Sequence, residues 1–429
     1  MTIRFIQKLK KVKEDWGGWF IFFILIYIIS FIKLTTHSHS TSYGIFFTTY
    51  SLLIGAYILS RFLLAYFHKS VEFDPLYEPT VTFVVPAKNE GENIAETIRK
   101  FSQVNYPMNK IEVIAINDGS TDETLSEMYA IQKECKPLGL NVEVVDWQVN
   151  RGKREGMAEG VKKAKNEIVI FIDSDSFIES EGVKHLVKYF NDPRVGAVSG
   201  HTDVYNRDVN MLTKMQSLRY YVAFHVYKAA ESIFGSVTCC PGCCSAYRKA
   251  YLDPIIDQWL HQRFLGVNCT FGDDRSLTNF IIRDYDAVYS PQALAYTVVP
   301  ENIRQYIKQQ QRWKKSWIRE TFIACLFMWR KNIIAAISFY SYMFLAFSAP
   351  IVFIRAVIYH PFFVTHEWPL AYLFGLAIML VLHGIYYQNH VKKSSWFLPA
   401  ITFWFYTVML MWQLPWAFFT IRDSRWGTR

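Results

Sequence analysis

The chain has 429 residues, of which 51% are hydrophobic and 17% aromatic, and its formal net charge is +9. The charged fraction of 19% is low for a soluble protein, and this composition excludes a disordered chain, a small disulfide scaffold and a collagen-like repeat. A purely soluble protein is disfavoured as well. The aromatic excess indicates membrane interfaces, a sugar-binding path, or both.

Residues 1–69 combine a basic start with two apolar runs, Trp19–Ile32 and Tyr43–Phe67. A signal peptide is the competing interpretation of the first run, but no small-residue cleavage site follows it. The positive-inside rule keeps the basic terminus in the cytoplasm and places the loop Lys33–Ser42 outside. Residues 1–69 are therefore predicted to form a cytoplasmic basic terminus and two transmembrane helices.

Residues 70–300 have a different character, because short β-branched runs alternate with amphipathic stretches. The predicted buried strands are Val81–Val85, Ile111–Ile116, Val142–Val145, Ile168–Ile172 and Gly196–Ser199. The predicted helices are Glu92–Val104, Thr121–Lys136, Arg154–Lys165 and Glu181–Phe190. This alternation predicts an α/β domain with a mostly parallel sheet and helices on both faces. Since it follows the second predicted transmembrane helix, we expect the domain to be cytoplasmic.

The C-terminal part becomes apolar again, in the segments Ile333–Ile358, Leu370–Tyr387 and Trp396–Phe419. Basic residues are lacking in 359–369 but follow the second segment, so residues 333–395 are predicted to hold two transmembrane helices that return to the cytoplasm. Arg61 and Arg355 lie near the ends of apolar runs. Snorkelling to the interface is the default interpretation for each, over a place in a polymer channel.

Carboxylates follow several of the predicted strands. Glu90 comes shortly after the first strand, Asp118 follows the second, and Asp173 and Asp175 follow the fourth. In an open parallel sheet, ligands bind outside the carboxyl ends of the strands. Such carboxylates could hold a nucleoside by hydrogen bonds, and an Asp-x-Asp pair suits Mg²⁺ or Mn²⁺ bridged to substrate phosphates. The plainer alternative is that a buried strand simply ends in polar residues.

Two further segments each allow two interpretations. Asn150–Arg154 opens a helix and could receive phosphate, or could be a solvated helix start. Asp273 and Asp274 stand beside Arg275, where a general base would be tuned by burial and a neighbouring cation. Alternatively, Asp274 caps a helix over Arg275–Ile282. The two roles of Asp274 are compatible.

The predicted interface region, residues 301–332, carries a basic and aromatic run around Arg312 and Trp313. This pattern suits amphipathic helices on the membrane surface, with basic side chains towards the headgroups. Arg312 could instead clamp a diphosphate, and Trp313 could stack on a sugar ring. The spacing alone does not choose between these uses.

Taken together, the motifs resemble the membrane-embedded processive glycosyltransferases of family 2, and most closely the bacterial-type hyaluronan synthases. In chain order the motifs are Asn89-Glu90, Asp118-Gly119-Ser120, Gly152-Lys153-Arg154, Asp173-x-Asp175, Gly272-Asp273-Asp274-Arg275, Gln309-x-x-Arg312-Trp313 and Trp426-Gly427-Thr428-Arg429. Asp-Gly-Ser and Asp-x-Asp are shared by the whole family, and Gln-x-x-Arg-Trp marks its processive branch. Gly-Asp-Asp with a terminal Trp-Gly-Thr-Arg narrows the set to synthases of hyaluronan, chitin oligosaccharide and related polymers.

The resemblance implies a GT-A-type α/β glycosyltransferase domain inserted between transmembrane and interfacial helices. It implies inverting, processive synthesis of a β-linked polysaccharide from UDP-sugars, hyaluronan-like with UDP-GlcNAc and UDP-GlcA, and translocation of the product. The alternatives are a chitin-like or poly-GlcNAc synthase that uses UDP-GlcNAc alone and, with less support, a non-processive polyprenyl-phosphate sugar transferase. A catalytically dead transport or scaffold subunit is disfavoured by the intact motifs.

The resemblance also implies roles for single residues. The implied UDP-sugar contacts are Glu90, Asp118, Lys153, Asp173, Arg312, Trp426 and Arg429. Asp173 and Asp175 would be the Mg²⁺ or Mn²⁺ pair, with Asp175 the more direct ligand. Asp274, beside Asp273, would deprotonate the acceptor hydroxyl, and Trp313 would form the floor of the acceptor site. Trp426 and Arg429 would belong to a gating loop that closes over UDP.

The family's acceptor stretch falls on Cys239–Arg248, which implies acceptor contacts by Cys243, Tyr247 and Arg248 together with Trp313. This sequence departs from the family's Ser-Gly-Pro pattern, since Pro-Gly is inverted and four cysteines surround it, so detailed contacts are not carried over. Cys240-x-x-Cys243 also suggests zinc, but no second ligand pair at a suitable separation is evident. Small buried thiols beside the acceptor are the favoured interpretation.

The expected setting is the plasma (inner) membrane, with an integral membrane protein whose catalytic domain is cytoplasmic. The expected partners are UDP-sugars, the growing polysaccharide and the lipid bilayer, with no nucleic acid and plausibly a monomer. A gating loop must lie inside, whereas one full crossing by 396–419 would place it outside. Because Pro399 and Pro415 also interrupt that segment, residues 396–429 are predicted to be a broken re-entrant or interfacial helix followed by the gating loop.

Overall fold

The computed structural model describes residues 42–364 and 410–424, together with residues 366, 368, 372, 373, 383, 384, 386–388, 402 and 405. Of these, 42–59 and 344–364, with the single positions up to 405, belong to one compact unit. Residues 60–343 and 410–424 belong to a second. The predicted segment Trp19–Ile32, most of Leu370–Tyr387 and half of Trp396–Phe419 lie outside the described residues.

The second unit is built on a sheet of eight strands. In chain order they are β1 Val81–Ala87, β2 Ile111–Asp118, β3 Asn141–Trp147, β4 Ile168–Phe171, β5 Ser176–Ile178, β6 Val195–Val204, β7 Ser245–Arg248 and β10 Asp286–Thr297. A separate hairpin is formed by β8 Arg263–Phe264 and β9 Val267–Asn268. The order across the sheet is β3-β2-β1-β4-β7-β6-β10-β5. Neighbours are parallel except where β7 pairs with β4 and β6 and where β5 pairs with β10, so the predicted mostly parallel sheet is confirmed.

Helices fill the connections between these strands and continue beyond them. They are α1 Ser42–Phe67, α2 Ile94–Ser102, α3 Thr124–Cys135, α4 Lys153–Lys163, α5 Gly182–Val187, α6 Met211–Val222, α7 Ala229–Ser232, α8 Lys249–Leu252, α9 Ile256–Leu260, α10 Asp273–Ile282, α11 Ile303–Cys325, α12 Ile333–Ile354, α13 His360–Phe363 and α14 Gln413–Phe419. Two stretches are π-helical, Ala223–Lys228 and Arg355–Tyr359.

Side chains alternate across the sheet and bury an apolar core on each face. Along β1, Phe83 and Val85 pack in the cluster that includes Ile98 of α2, whereas Val84 packs in the cluster that includes Val161 of α4. This alternation follows from the period of two of a strand. Because helices cover both faces, the loops at the carboxyl edge of the sheet are left to form a site.

Three strands of the sheet are absent from the sequence prediction: β5, β7 and β10. Strand β5 has only three residues, too few to show a period. Strand β10 contains Pro291, which breaks the usual strand pattern, and its register against β6 shifts between Tyr289 and Leu294. Strand β7 follows directly on the cysteine-rich segment, whose turn residues mask the onset of a four-residue strand. The five predicted strands and four predicted helices are present, with ends that differ by a few residues.

A continuous helical stretch, Ile333–Phe363, is 31 residues long, and its most apolar 18-residue window has a mean hydropathy of 1.8. Within the described part of the chain it alone is long and apolar enough to cross a membrane, by length and composition. Ile333, Ile337 and Ile351 are 69%, 60% and 69% exposed, as expected of side chains that face lipid. At about 1.5 Å per residue, the stretch is longer than the roughly 30 Å hydrocarbon core of a bilayer and so is long enough to cross it.

The snorkelling prediction is wrong for Arg61. This side chain is buried, and its guanidinium donates hydrogen bonds to Ser338 of α12 and to Ser60. An arginine that reached the interface would be exposed at its charged end, whereas Arg61 is enclosed by protein. Arg355 is exposed.

Residues 410–424 pack along α11. The Gln413 side chain donates to the carbonyl of Ile307 at 3.2 Å, and the Lys314 ammonium donates to the carbonyl of Leu410. Farther on, Asp423 forms an ion pair with Lys315 at 3.4 Å. The chain before the terminal motif therefore lies against the α/β unit, and the predicted re-entrant or interfacial form of residues 396–429 stays a prediction.

Candidate active site

The candidate site lies at the carboxyl edge of the sheet, where three predicted carboxylates meet. Asp118 is the last residue of β2, and Asp173 and Asp175 follow the adjacent end of β4. Strand β1 separates β2 from β4 and pairs in parallel with both, so all three strands end on one edge. The expected gathering of polar side chains at this edge is therefore present.

Asp118 holds the loop that leads into α4. Its buried carboxylate accepts hydrogen bonds from the backbone N–H groups of Arg151 and Gly152, the latter at 2.9 Å. Gly119 has φ +63°, and a Cβ there would lie 2.6 Å from the backbone nitrogen of Asn150. Only glycine permits this close crossing of two loops. The carboxylate assigned to the nucleoside thus also positions the segment that carries Lys153.

Glu90 lies at the same edge, between β1 and α2. It is 7% exposed, and its carboxylate accepts a hydrogen bond from Asn93 at 3.3 Å. Asn89 has φ +53°, and its side-chain oxygen accepts the backbone N–H of Thr121 at 2.9 Å. This hydrogen bond joins the Asn-Glu motif to the Asp-Gly-Ser loop on one side of the site.

Lys153 and Arg154 are adjacent in sequence but have separate surroundings. The Lys153 ammonium forms an ion pair with Asp173. Burial opposes its charge, but the attraction of Asp173 outweighs burial and raises the pKa of Lys153. Arg154 is buried, stacks over Trp259 and donates to the carbonyl of Cys269 at 2.7 Å. Lys153 therefore enters the cleft and Arg154 supports the helix start from the protein interior.

One loop, Cys239–Cys244, touches both carboxylate pairs. A Cβ on Gly242 would lie 2.9 Å from Oδ1 of Asp173 and 3.2 Å from the Lys153 ammonium. At the other end of the loop, the Cys239 thiol donates to Oδ2 of Asp274 at 3.5 Å. Asp173 and Asp274 therefore face one cleft, although they are far apart in sequence.

The two aspartates of the Gly-Asp-Asp motif differ in exposure. Asp273 is 5% exposed, with Arg154 Nε 4.0 Å from its Oδ1, and burial raises the pKa of this carboxyl. Asp274 is half-buried and open to the cleft. Of the two, Asp274 is therefore the carboxylate that a ligand in the cleft could reach, whereas Asp273 is enclosed by protein.

The N-cap predicted at Asp274 is wrong. Helix α10 begins at Asp273, and Gly272 is its cap with φ +75°. A Cβ on Gly272 would lie 1.8 Å from the Ser316 hydroxyl of α11, so the two elements pack directly at the glycine. With this contact, the helix begins earlier than the sequence indicated, at Asp273. The Asp274 side chain is then not the cap and faces the cleft.

Trp313 and Arg312 lie on α11. The Trp313 ring is 36% exposed, and its centroid lies 6.4 Å from that of Tyr220 on α6. Sequence reasoning misses Tyr220, because it belongs to no motif. Arg312 is half-buried beside Trp313 in the same helix.

The structure separates two predicted acceptor residues from the cleft. Strand β7 runs antiparallel to β4, with Ser245 opposite Phe171 at the carboxyl end and Arg248 opposite Ile168 at the far end. Arg248 accordingly donates to the carbonyls of Phe190 and Asp192, away from the cleft.

Tyr247 is 1% exposed, and its hydroxyl pairs with Thr278 under the helix that carries Asp274. Antiparallel pairing therefore removes Arg248 from the acceptor site and buries Tyr247 beneath it. Cys243 stays near Asp173: burial raises the pKa of its thiol, and the charge of Asp173 raises it further. Trp426 and Arg429 lie outside the described residues.

The donor set suits a divalent cation that the substrate helps to bind. No group of three or more His, Cys, Asp and Glu side chains within the described residues could hold a metal alone. Asp173 and Asp175 offer two hard oxygen groups, and Asp173 already accepts a cation, the Lys153 ammonium. Mg²⁺ and Mn²⁺ favour such oxygen donors, and Mg²⁺ usually keeps several waters and binds one or two carboxylates together with substrate phosphates. The residues present fit that arrangement.

Comparison with known proteins gave three informative matches. The profile of the family described as Glycosyl transferase family 2 matches residues 82–256. A hyaluronan synthase of Streptococcus pyogenes serotype M6 is 30% identical over 412 residues, covering 95% of this chain and 96% of that protein. An N-acetylglucosaminyltransferase of Azorhizobium caulinodans is 28% identical over 354 residues, covering 82% and 87%.

Among solved structures, the mannosyltransferase PcManGT from Pyrobaculum calidifontis, in complex with GDP-Man and Mn²⁺, is similar in fold. The TM-score is 0.57 at 20% identity, and the match covers 88% of this chain and 99% of that one. This likeness supports a GT-A fold for the α/β unit.

Proposed function

Because the chain belongs to glycosyltransferase family 2, in the group that includes the bacterial hyaluronan synthases, we propose that it polymerises a β-linked polysaccharide from UDP-sugars and moves it across the membrane. The observation that carries this proposal is the loop Cys239–Cys244. It joins the Asp173–Lys153 pair to Asp274, and so would set the donor site against the acceptor base.

On the donor side, Glu90 and Asp118 would contact the nucleoside. Lys153 would receive diphosphate oxygens in place of its present partner Asp173. A Mg²⁺ or Mn²⁺ ion held by Asp173 and Asp175 would neutralise charge on the departing UDP. Arg312 would contact the diphosphate from α11, and Trp426 and Arg429 would close over it.

On the acceptor side, Asp274 would accept the proton of the acceptor hydroxyl as that oxygen attacks the anomeric carbon. The bond to the UDP oxygen breaks on the opposite face, which inverts the configuration. The Cys239 thiol has a pKa raised to about 11 by burial and by Asp274, so it remains a neutral donor that orients the carboxylate. Trp313 would support the acceptor ring.

The helices would provide the membrane passage. The apolar stretch Ile333–Phe363 has the length of a bilayer span, and the predicted topology keeps the catalytic unit in the cytoplasm. A product made at the cytoplasmic face would then leave through the same protein.

The N-acetylglucosaminyltransferase relative favours one alternative, a polymer built from UDP-GlcNAc alone. The test is UDP release and product size from membranes given UDP-GlcNAc, UDP-GlcA or both. Long polymer only with both donors supports the hyaluronan-like product, and long polymer from UDP-GlcNAc alone supports the alternative. Single sugars on lipid would refute processive synthesis.

A further inference from the structure

We propose that Tyr220 is an acceptor-binding residue, which together with Trp313 holds the terminal pyranose of the growing saccharide. This inference rests on the proposed function and adds to it a specificity-determining residue that lies in none of the sequence motifs. It is carried by the position of the Tyr220 ring beside Trp313, and by the contacts of its helix with the Trp313 helix and with the loop beside Asp274.

The Tyr220 ring lies between two other aromatic rings. Its centroid is 6.4 Å from that of Trp313, at an interplanar angle of 50°, and 6.3 Å from that of Phe224, at 29°. Phe224 is 5% exposed and backs the ring, whereas Trp313 is 36% exposed. Tyr220 and the exposed Trp313 therefore form an aromatic corner, and C–H bonds of a pyranose face pack well against such rings.

Helix α6 holds this ring in place. Its Asn210 cap and Thr213 form a capping box, and Ser217 donates to Asp203 at 3.2 Å. Arg219, the neighbour of Tyr220, donates to Tyr306 at 3.2 Å and to Gln310, both on α11. The helix that carries Tyr220 is thereby fixed to the helix that carries Trp313.

The helix changes to π geometry shortly after Tyr220, at Ala223–Lys228. Lys228 at its end donates to the carbonyl of Cys239, within the loop that reaches Asp274. Stretches of π-helix often mark functional sites, since they turn side chains away from the regular helical face. The same helical stretch therefore contacts the Trp313 helix and the loop beside the base.

The Tyr220 hydroxyl has no hydrogen-bond partner among the described residues, although the side chain is half-buried. Burial raises the pKa of Tyr220 well above its usual value, and Cys243, Asp175 and Asp173 raise it further. The half-buried hydroxyl is available to donate a hydrogen bond to a ligand, and sugar hydroxyl or N-acetyl oxygens are suitable acceptors.

The experiment uses the full chain in membranes and measures transfer to an added GlcNAc oligosaccharide at saturating UDP-sugar. Tyr220→Phe, which removes one neutral hydrogen bond, is expected to raise the acceptor KM about fivefold. Tyr220→Leu, which also removes the stacking ring, is expected to raise it roughly thirtyfold. The donor KM and the slow release of UDP to water without acceptor should stay unchanged. Tyr129→Phe, at an exposed position of α3, is the matched control and should match wild type.

An unchanged acceptor KM in both Tyr220 variants, or a rise in the donor KM instead, would overturn the proposal. If Tyr220→Leu does not fold, Tyr220→Phe decides alone. Absence of UDP release by the wild-type protein would refute the proposed function. Binding of the same oligosaccharide to purified protein, followed by tryptophan fluorescence, still tests Tyr220 in that case. Weaker binding by the variants supports the inference, and equal binding overturns it.

Discussion

The proposed donor and acceptor sides of the cleft are built in different ways. The donor side consists of Asp118, Asp173 and Asp175 at strand ends, with Lys153 at the start of a helix. The acceptor side consists of side chains from a helix, a cysteine-rich loop and the interface helix: Tyr220, Cys239 and Trp313. One side is charged and the other is mostly aromatic and apolar.

The two constructions should tolerate substitution differently. The sheet fixes the backbone at the strand ends, so each donor residue is held in one position. Its charged group cannot be replaced by another group without loss of its interaction with the substrate. The acceptor side depends on packing between elements. Each of its contacts contributes less binding free energy than a charged contact of the donor side. We therefore expect donor and base substitutions to abolish transfer, and acceptor substitutions to change affinity.

The largest effect is expected at the junction of the two sides. Asp274→Asn removes the base, and general base catalysis contributes roughly a hundredfold to ten-thousandfold in rate. Polymer formation should fall by that range while UDP-sugar binding is retained. Asp284→Asn, at an exposed ion pair with Arg283, is the control. Unchanged synthesis by Asp274→Asn would refute its role as the base.

The donor side is tested next by Asp175→Asn and by metal removal. Loss of a ligand that stabilises diphosphate charge costs several kcal/mol, so turnover should fall about a hundredfold or more. EDTA should abolish wild-type activity, and added Mn²⁺ or Mg²⁺ should restore it. Activity in EDTA equal to that in Mn²⁺ would exclude a role for the metal.

Gly242→Ala tests the contact of the two sides with a smaller expected effect. The new methyl would lie 2.9 Å from Asp173 Oδ1 and 3.2 Å from the Lys153 ammonium, so both flexible ends must move. The donor KM should rise about tenfold, since roughly 1.4 kcal/mol of misplacement is a tenfold change. The midpoint of thermal unfolding should stay within about 1–2 °C, because the clash involves side-chain ends and not backbone. A large loss of stability with normal kinetics would contradict this placement.

The smallest effect on activity is expected at Lys314, which lies outside the proposed catalytic site. Burial, and then Arg219, lower the pKa of Lys314 to about 7. The unfolded chain keeps its proton up to the ordinary lysine pKa of about 10.4, so between about pH 7 and pH 10 it binds more protons than the folded protein. The free energy of unfolding, and with it the melting temperature, should therefore rise with pH across that range. Lys314→Met should flatten this dependence, and an equal slope in the variant would contradict it.

The α/β class, the main strands and the residues at their ends follow from the amino-acid sequence alone. A buried strand of β-branched residues has a period of two, and its end fixes where the following carboxylates lie. Asp118, Asp173 and Asp175 could therefore be assigned to the carboxyl edge of the sheet from local pattern. The motifs also lie largely between the apolar segments of the sequence, so the catalytic part can be told apart from the apolar helices.

The acceptor side, in contrast, depends on tertiary packing. Antiparallel pairing of β7 moves Arg248 to the far edge, and packing of Gly272 against Ser316 sets where α10 begins. The aromatic corner at Tyr220 and the contact of Gly242 with Asp173 depend on distances between elements far apart in sequence. Local propensity carries no information about such contacts, because non-local packing creates them.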